Sequence, residues 1–466
     1  MDLSNNNSAR VIFDHALQSV LPESALRRCV SLEGPPDRLS VAGRVYDLGA
    51  YDRIFVVGGG KAARRTGAEL ARILSGRISE GILSVYRDQS DEPISPNIDL
   101  YGADHPVPNE AGVAGAARMI ELLKRADART LVIALISGGG SSLMALPVEG
   151  ITLEDYMAIS RLLLTVPASI DEINAVRKHM DSLKGGGMRK FGRKAGAFIS
   201  LVLSDVPVTK TGVVDDPSVI ASGPTVGDDS TFASAKKVLM DHRLWEAAPK
   251  ALRDYFEKNL GKEENETLPK ESPLLAPDRS QYVIIANNDG AMEAAAEKAR
   301  DLGYSVRLIG CRTGSVADKI KSEVEREIEN IWRVVTPSLS PDDQVTFASF
   351  STDGVDGHSS LAGAVADRST LKSAEGLGLD YEEALANYDS ATFFSKLGLG
   401  IETGPTGTNV ADLSLVLTSG PRRKLAFIFG GEATVHMRLP EGRKPGFGGR
   451  NTHLTLLAAE KLSALK

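Results

Sequence analysis

Apolar runs that end in glycine clusters dominate the hydrophobic pattern of the first half of the chain. The runs at 53–60 and 130–142 read RIFVVGGG and TLVIALISGGGSS, and a third run at 197–206 ends in a polar loop. The segments with helical spacing lie at 8–30, 61–76, 152–166 and 169–183. Strands that alternate with helices predict a mainly parallel sheet with helices on both faces.

The second half repeats this alternation after a charged, proline-bearing stretch at 258–278, which we interpret as a linker or a surface crossing. Two adjacent runs at 413–420 and 424–439 predict a hairpin rich in β-branched residues. The predicted fold class is therefore α/β with two domains. Residues 1–270 are expected to form a Rossmann-like domain, a parallel sheet with flanking helices. Residues 280–466 are expected to form a C-terminal α/β domain with a mixed sheet.

Composition and charge narrow the class of protein. The chain has 466 residues, of which 42% are apolar, and this length favours two domains. Its 54 basic and 61 acidic residues give a formal charge of −7 with no long basic run, so we expect no nucleic-acid partner. No apolar run approaches the ~18 residues of a membrane span, and the N-terminus lacks the apolar core of a signal peptide. With only Cys29 and Cys311 as thiols, the chain suits a reducing compartment, and we expect a cytoplasmic protein.

The 45 glycines cluster in loops that follow predicted strands. The first loop places Lys61 after three glycines, which allow positive φ angles and present bare N–H groups to an anion. The second, at 137–142, opens a predicted helix, and the dipole of that helix also favours an anion. Neither loop matches the Walker A or the G-x-G-x-x-G spacing. Each loop, taken alone, can equally be a tight connection that requires small residues.

Further polar glycine loops follow at 178–188, 204–229, 351–357, 402–413 and 446–451. They place charged and hydroxyl side chains beside backbone donors, and phosphoryl transfer requires mainly such positioning and positive charge. Asn409 is also expected to cap a helix whose first turn holds Asp412. The candidate residues for binding ATP or phosphate are Gly58, Gly59, Gly60, Ser137, Gly138, Gly139, Gly140, Ser141, Ser142, Lys184, Gly185, Ser222, Thr403, Gly404, Thr406, Gly407, Thr408 and Asn409.

Other candidates carry the charges that a substrate or a metal needs. The guanidinium of Arg450 can hold a carboxylate or a phosphoryl group with two parallel hydrogen bonds. Carboxylates in the 204–229 loop can hold Mg²⁺ through water, or they can cap helices. The candidate substrate-binding residues are Lys61, Asp353, Glu432 and Arg450, and the candidate metal-binding residues are Asp205 and Asp215.

The motifs together resemble those of the class II glycerate kinases, whose C-terminal domain is called MOFRL. The blocks that carry the resemblance run from about residue 8 to the end: GGGKA, SGGGSSL, INAVRKHMDSLKGG, LSDV, DDPSVIASGPTV, STDGVDG, TGPTGTNVADL, GGEATV and GGRN. The resemblance implies a kinase that makes 2-phosphoglycerate from D-glycerate with ATP and Mg²⁺, in a cleft between two domains. It also implies that Lys61 and Arg450 are catalytic, and Asp205 is our candidate third catalytic residue.

The order of the C-terminal blocks departs from this family. There GGE and GGRN precede the TDG and TGPTGTN blocks, whereas here they follow, which predicts a permuted C-terminal domain. Two other functions stay open: an NAD(P)H-dependent hydroxypyruvate reductase, disfavoured by the absent dinucleotide fingerprint, and a non-catalytic binder of a phosphorylated metabolite. We expect a small-molecule substrate and a nucleotide as partners, and a homodimer stays open.

Overall fold

The structure is a computed structural model, and it describes residues 4–206, 213–310, 323–421, 423–431 and 446–465. By its internal contacts the chain divides into two compact units. The N-terminal unit comprises Pro22–Val206 and Asp215–Ile285. The C-terminal unit comprises Met1–Leu21, Pro207–Val214 and Ala286–Lys466, so that the first helix, α1 (Asn5–Val20), belongs to it.

Two sheets form the framework of the N-terminal unit. A small antiparallel sheet joins β1 (Val30–Glu33), β2 (Arg38–Val41) and β3 (Arg44–Asp47). The strands of the large sheet are β4 (Arg53–Gly59), β5 (Glu80–Tyr86), β6 (Ile98–Ala103), β7 (Thr130–Ser137), β8 (Ala197–Leu203) and β9 (Ser280–Ala286). The helices are α2 (Pro22–Cys29), α3 (Ala63–Leu74), α4 (Glu110–Lys124), α5 (Gly140–Leu143), α6 (Leu153–Leu164), α7 (Ile170–His179), α8 (Gly187–Phe191), α9 (Phe232–Asp241) and α10 (Lys250–Asn259).

The strand order of the large sheet confirms the predicted Rossmann-like architecture. Its order is β6-β5-β4-β7-β8-β9, and β4 pairs in parallel with both β5 and β7. In chain order these strands read 3-2-1-4-5-6, which is the order of the doubly wound fold. The direction of winding reverses between β4 and β7, and ligands of such folds bind outside the carboxyl ends of the strands at that point. The glycine loops at 58–61 and 137–142 follow those two strands.

The C-terminal unit is built on a mixed sheet, as predicted. Its strands are β10 (Ser305–Ile309), β11 (Gln344–Ser351), β12 (Gly363–Asp367), β13 (Gly400–Ile401), β14 (Asp412–Ser419) and β15 (Lys424–Gly431), in the order β10-β15-β14-β11-β12-β13. Among the described strands of this sheet, only β10 and β15 pair in parallel. The predicted hairpin is confirmed, because β14 and β15 pair antiparallel from Ser419 and Lys424 onwards. The remaining helices are α11 (Asn288–Asp301), α12 (Glu323–Val335), α13 (Thr370–Gly376), α14 (Tyr381–Ala386), α15 (Ser390–Leu397) and α16 (Arg450–Ser463).

Several boundaries differ from the predicted ones. The helix predicted at 8–30 is two helices, α1 and α2, because Pro22 cannot continue the hydrogen bonds of α1. The apolar face of α1 packs in the C-terminal unit, where Phe13 stacks on Phe350 with ring centroids 4.3 Å apart. The stretch at 258–278 is a surface crossing, since Leu268 N donates to Gly185 O at 2.8 Å within the N-terminal unit. Both units therefore combine separate segments, unlike the contiguous domains that the sequence suggests.

Two further differences concern single segments. The strand predicted after 280 is β9, which pairs in the N-terminal sheet and does not begin the second unit. Asn409 does not cap a helix, because the chain continues directly into β14, whose first residue is Asp412. None of the described helices is both long enough and apolar enough to span a bilayer.

Candidate active site

The loop after β4 holds its shape because glycines allow two backbone segments to touch. A Cβ on Gly58 would lie 2.0 Å from the carbonyl oxygen of Leu135, and one on Gly60 would lie 2.2 Å from Ser137 Oγ. Gly60 also has a φ of 137°, which side chains disfavour. Beyond this turn Lys61 N donates to Gly138 O at 2.9 Å. The two predicted glycine loops are therefore joined directly, at the point where the sheet reverses its winding.

The loop after β7 brings three functional side chains together. Gly139, with a φ of 79°, precedes the short helix α5. A Cβ at this position would lie 3.1 Å from Lys61 Cγ and 3.3 Å from His105 Cδ2, so both side chains flank the glycine. A Cβ on Gly138 would lie only 1.8 Å from Asp205 Oδ2. The loop therefore brings together Lys61, His105 and the carboxylate of Asp205.

Burial and the charge of Lys61 shift the pKa values of two side chains at this loop, Asp205 and His105. Burial among the loops raises the pKa of Asp205, and the positive charge of Lys61 acts in the opposite direction. Burial also lowers the pKa of His105 to about 4, with Lys61 acting in the same direction, so the imidazole is neutral at pH 7. Among the described residues Lys61 has no ion-pair partner within contact distance. An unpaired ammonium beside a partly buried carboxylate fits a site that receives an anion.

A chain of hydroxyl groups links the second loop to helix α7. Ser141 Oγ lies 2.9 Å from Ser222 Oγ, and Ser222 Oγ donates to Asn174 Oδ1 at 3.0 Å. Ser222 is fully buried and has a φ of 60°, in a turn whose Ala221 also lies in the left-handed region. The structure therefore brings together two of the predicted residues, Ser141 and Ser222, and adds Asn174, which the sequence did not single out.

The two lysines of the 178–188 segment are buried and paired. Lys178 Nζ donates to Asp228 Oδ1 at 2.5 Å. Lys184 Nζ donates to Asp181 and, at 2.9 Å, to the hydroxyl of Tyr156. Because each ammonium already has a buried carboxylate, the geometry assigns both lysines to the packing of this region. Lys184, a predicted phosphate ligand, is therefore not brought to the loops in a form free to bind phosphate.

The predicted metal-binding residues lie close in the chain but do not form a closed cage. Asp215 N donates to Val206 O at 3.1 Å, one residue beyond Asp205. Among the described residues no three carboxylate, histidine or cysteine side chains gather in a way that could hold a metal ion. Mg²⁺ at a nucleotide site needs only one or two protein carboxylates, since phosphate oxygens and water complete its shell. Asp205, beside the glycine loops, fits that requirement.

In the C-terminal unit the TDG and TGPTGT segments pack backbone to backbone. A Cβ on Gly354 would lie 2.0 Å from Gly404 O. Thr406 Oγ1 donates to Thr352 O at 2.6 Å, and its amide donates to Asp353 O at 3.0 Å. The carboxylate of Asp353 accepts from Ser351 Oγ at 2.7 Å. These contacts hold the predicted residues Asp353 and Thr406 next to each other, and the hydrogen bonds of Thr406 fix the loop.

The rest of the TGPTGTN block is also tied to backbone groups. Thr408 is buried, and its Oγ1 donates to Val20 O at 2.8 Å. Asn409 Oδ1 accepts from Ala411 N at 3.1 Å, which is a local turn in place of the predicted helix cap. Thr403 is exposed, and its hydroxyl donates to Gly404 O at 2.9 Å. The left-handed Gly404 and Gly407, with φ of 63° and 70°, supply the turns of this loop.

Arg450 is the first residue of α16, and it is already engaged. Its guanidinium donates to both carboxylate oxygens of Asp412, with Nη2 at 3.0 Å from Oδ1. Its side chain is 25% exposed. The buried carboxylate of Asp356 accepts from the amides of Asn451 at 2.9 Å and Thr452 at 2.7 Å, and thereby caps α16.

The TDG, TGPTGTN and GGRN blocks come together in space although they lie apart in the chain. A Cβ on Gly357 would lie 2.4 Å from Gly448 O, which places the TDG and GGRN segments in direct contact. Asp412, from the end of TGPTGTNVAD, meets Arg450 from GGRN. Glu432, the predicted substrate-binding residue of GGEATV, lies outside the described residues.

Some residues of these clusters had no clear sequence signal. His105 follows a loop that reads as an ordinary turn, and Asn174 and Arg177 lie on α7 among residues with helical spacing. Asn174 reaches the hydroxyl chain only because α7 lies beside the segment that bears Ser222. A signal existed for α7 in the block INAVRKHMDSLKGG, where polar residues occupy a helix beside a glycine turn.

Two family models match the chain. One describes a domain of unknown function, DUF4147, and matches residues 8–257, which is more than half of the chain. The other describes the MOFRL family and matches residues 325–412. The GGE and GGRN blocks lie beyond the second range, and their permuted order stays a prediction.

Characterised relatives and solved structures are similar over most of the chain. A glycerate 2-kinase of Pyrococcus horikoshii is 31% identical over 87% of this chain and 96% of its own. A D-glycerate 2-kinase of Thermotoga maritima is 33% identical over 78% of this chain and 91% of its own. An Agrobacterium vitis protein, provisionally named a hydroxypyruvate reductase, is 34% identical over 78% of this chain and 99% of its own.

The crystal structure of a glycerate kinase from Thermotoga maritima superposes with a TM-score of 0.72 at 28% identity. It covers 89% of this chain and 99% of the other. A crystal structure of a Pyrococcus horikoshii protein superposes equally well, with a TM-score of 0.73 at 28% identity, over 89% of this chain and 99% of the other. The motifs, the strand order and these similarities agree, and the chain belongs to the class II glycerate kinase family, with a DUF4147 region followed by a MOFRL region.

Proposed function

We propose that this protein transfers the γ-phosphoryl group of ATP to the 2-hydroxyl of D-glycerate. The observation that carries the proposal is the ammonium of Lys61, which has no ion-pair partner among the described residues and stands at the switch point of a Rossmann-like sheet between two glycine loops. Backbone donors, a free cation and a nearby carboxylate are what phosphoryl transfer requires of a protein. The named glycerate 2-kinase relatives favour glycerate as the acceptor.

The two glycine loops of the N-terminal unit are suited to the phosphates of the nucleotide. Gly58, Gly60 and Gly139 hold the backbone where a side chain would collide or strain it, and so fix the course of both loops at the ends of β4 and β7. Lys61 would neutralise charge on the transferring phosphoryl group, since an ammonium without a carboxylate partner keeps its full charge for a ligand.

Asp205 is the carboxylate that we assign to this site. Its side chain contacts the 137–142 loop, and its charge is coupled to that of Lys61. Asp205 would hold Mg²⁺ together with phosphate oxygens, and Asp215 would assist through water. Bound there, Mg²⁺ supplies Lewis-acid stabilisation of the phosphate charge.

Arg450 of the C-terminal unit would contribute the second cation. Asp412 holds two of its nitrogens and so fixes the plane of the guanidinium. A guanidinium whose plane is already fixed loses less conformational entropy when it binds an anion. Asp353, Thr403 and Glu432 stay candidates for the substrate and phosphate contacts of that unit.

The reductase alternative has weaker support. Its basis is the provisional name of some relatives and a strand order shared with dinucleotide-binding folds. The turn after β4 reads GGGKAA, without the G-x-G-x-x-G spacing that admits a pyrophosphate between strand and helix. A reductase would oxidise NADPH with hydroxypyruvate in the absence of ATP, and an absorbance assay measures this directly.

The test of the kinase proposal uses Lys61→Ala, Arg450→Ala and Arg450→Lys, assayed by release of ADP with D-glycerate. The matched control is Lys396→Ala, which removes an exposed lysine of α15. We expect kcat/KM to fall by at least about 100-fold in both alanine variants, since each removes a cation from the transition state. Thermal melting of each variant separates loss of activity from loss of fold. Near-wild-type rates in both folded alanine variants would contradict the assignment.

A further inference from the structure

Helix α7 carries an arginine that the kinase proposal leaves without a task. Arg177 lies one turn beyond Asn174 on this helix, so the two side chains share a face. The guanidinium is half-buried, and it makes neither an ion pair nor a hydrogen bond with any residue that the structure describes. Half-buried arginines in proteins are normally paired, because removing a guanidinium from water is costly unless an anion replaces the water.

The neighbouring Asn174 has a second unused donor. Asn174 is 3% exposed, and its Oδ1 accepts the hydroxyl proton of Ser222. Because Ser222 has one proton and gives it to Asn174, the proton in the 2.9 Å contact between Ser141 and Ser222 comes from Ser141. The hydroxyl chain therefore fixes the orientation of the amide, and its Nδ2 is left buried without a hydrogen-bond partner. An oriented, buried amide donor without a partner points to a ligand.

The charge of this region is positive. Arg177 interacts electrostatically with Lys184 and with the hydroxyl of Tyr156, and both surround the buried carboxylate of Asp181. Asp181 is already held by Lys184 and by the amides of Leu146 and Leu183, at 3.0 and 2.9 Å. The excess cation is Arg177, and burial lowers the pKa of its guanidinium. A bound anion would restore the lost stabilisation of that charge.

We propose that Arg177 and Asn174 bind the carboxylate of the acceptor substrate and thereby determine which hydroxyl compounds the enzyme accepts. This inference rests on the proposed kinase function. It assigns residues to the binding of the acceptor's carboxylate, which the glycine loops do not provide. The planar fork of an arginine matches the two oxygens of a carboxylate.

The contacts of the loops place this pair beside the reaction. A Cβ on Gly140 would lie 2.8 Å from the Cβ of Ala221, so the turn that bears Ser222 packs directly on the 137–142 loop. Lys61 N donates to Gly138 O of this loop, and three residues further along the same loop Ser141 contacts Ser222, which donates to Asn174. The carboxylate of glycerate is bonded to the carbon that carries the 2-hydroxyl. Holding that carboxylate therefore positions the hydroxyl that receives phosphate.

The experiment compares Arg177→Ala, Arg177→Lys and Asn174→Asp with the wild type, using D-glycerate and glycerol as acceptors. Glycerol lacks the carboxylate and so cannot use the proposed contact. We expect the KM for D-glycerate to rise about 10- to 100-fold in Arg177→Ala and about tenfold in Arg177→Lys, because a lysine keeps the charge and loses the fork. In Asn174→Asp the carboxylate repels the substrate, and KM should also rise. The KM for ATP and the rate with glycerol should stay within about twofold of wild type.

The control is Arg161→Gln, which removes an exposed arginine of α6 in the same unit and should leave every parameter unchanged. An unchanged KM for D-glycerate in a folded Arg177→Lys enzyme would overturn the proposal. So would a rise confined to the KM for ATP, which would assign Arg177 to a nucleotide phosphate. Absence of phosphorylation of D-glycerate by the wild-type protein would instead refute the proposed function, so the two failures are distinct.

Discussion

Replacing Gly138 by alanine tests the closest approach in the candidate active site. A Cβ at this position would lie 1.8 Å from Asp205 Oδ2 and 2.3 Å from Asp205 Cγ. The backbone at Gly138 is not in the left-handed region, so the methyl group itself introduces no torsional strain. The effect of the substitution is therefore displacement of one carboxylate, in a loop that otherwise keeps its course.

The size of that displacement follows from ordinary contact distances. A carbon and an oxygen atom rarely approach closer than about 3.3 Å, so Oδ2 must retreat by about 1.5 Å. A shift of about 1 Å in a positioned group can lower a catalytic rate about 100-fold, which corresponds to about 2.7 kcal/mol of transition-state stabilisation. We expect the loss of folding stability to lie within the about 1–3 kcal/mol typical of overpacking.

The assay measures kcat/KM for D-glycerate and the melting temperature of Gly138→Ala. The matched control is Gly376→Ala at the end of α13, where an added Cβ meets no atom within 4 Å. A double variant sharpens the test, because in an Asp205→Ala background the methyl group no longer collides, and Gly138→Ala should then cost less than about threefold. A single variant with kcat/KM within about twofold of wild type would refute the reasoning, since Asp205 would then have moved without consequence.

Two further substitutions test the C-terminal unit. Asp356→Ala removes the buried cap of α16 and leaves two backbone amides without partners. We therefore expect the free energy of unfolding to fall by about 2–4 kcal/mol and hydrogen exchange in Arg450–Ser463 to become faster, with a smaller loss for Asp356→Asn. Unchanged hydrogen exchange in this helix would contradict the role of Asp356. Burial lowers the pKa of His453 to about 4. The unfolded chain therefore binds a proton there between about pH 6.5 and 4 that the folded chain does not, so the contribution is fully present above about pH 6.5 and is lost as pH falls towards 4. The urea midpoint should fall less between pH 7 and 4.5 in His453→Gln than in wild type, and identical slopes would contradict the assignment.

The features that the sequence predicted well are local ones. A buried strand followed by glycines and a helix is encoded within about ten residues, and the structure confirms this design at β4 and at β7. The parallel N-terminal sheet and the hairpin of β14 and β15 follow from the same local patterns. The alternation of apolar runs with helices was enough to predict the fold class, because it indicates a sheet whose apolar faces must be covered by helices.

The features that could not be predicted depend on contacts between distant segments. α1 packs in the C-terminal unit, and its amphipathic pattern is the same whichever unit it covers. Lys178 and Lys184 resemble ligand-binding cations in the sequence, yet each meets a buried carboxylate. Conversely, nothing in the helical spacing of α7 distinguishes Arg177, whose lack of a partner among the described residues is visible only once the folded neighbours are known.

Phosphorus NMR of the product tests the central claim most directly. The wild-type protein is incubated with ATP, Mg²⁺ and D-glycerate, and the spectrum is compared with those of authentic 2-phosphoglycerate and 3-phosphoglycerate. We predict the resonance of 2-phosphoglycerate together with that of ADP, and no product when D-glycerate is omitted. The resonance of 3-phosphoglycerate, or release of inorganic phosphate alone, would contradict the proposed reaction.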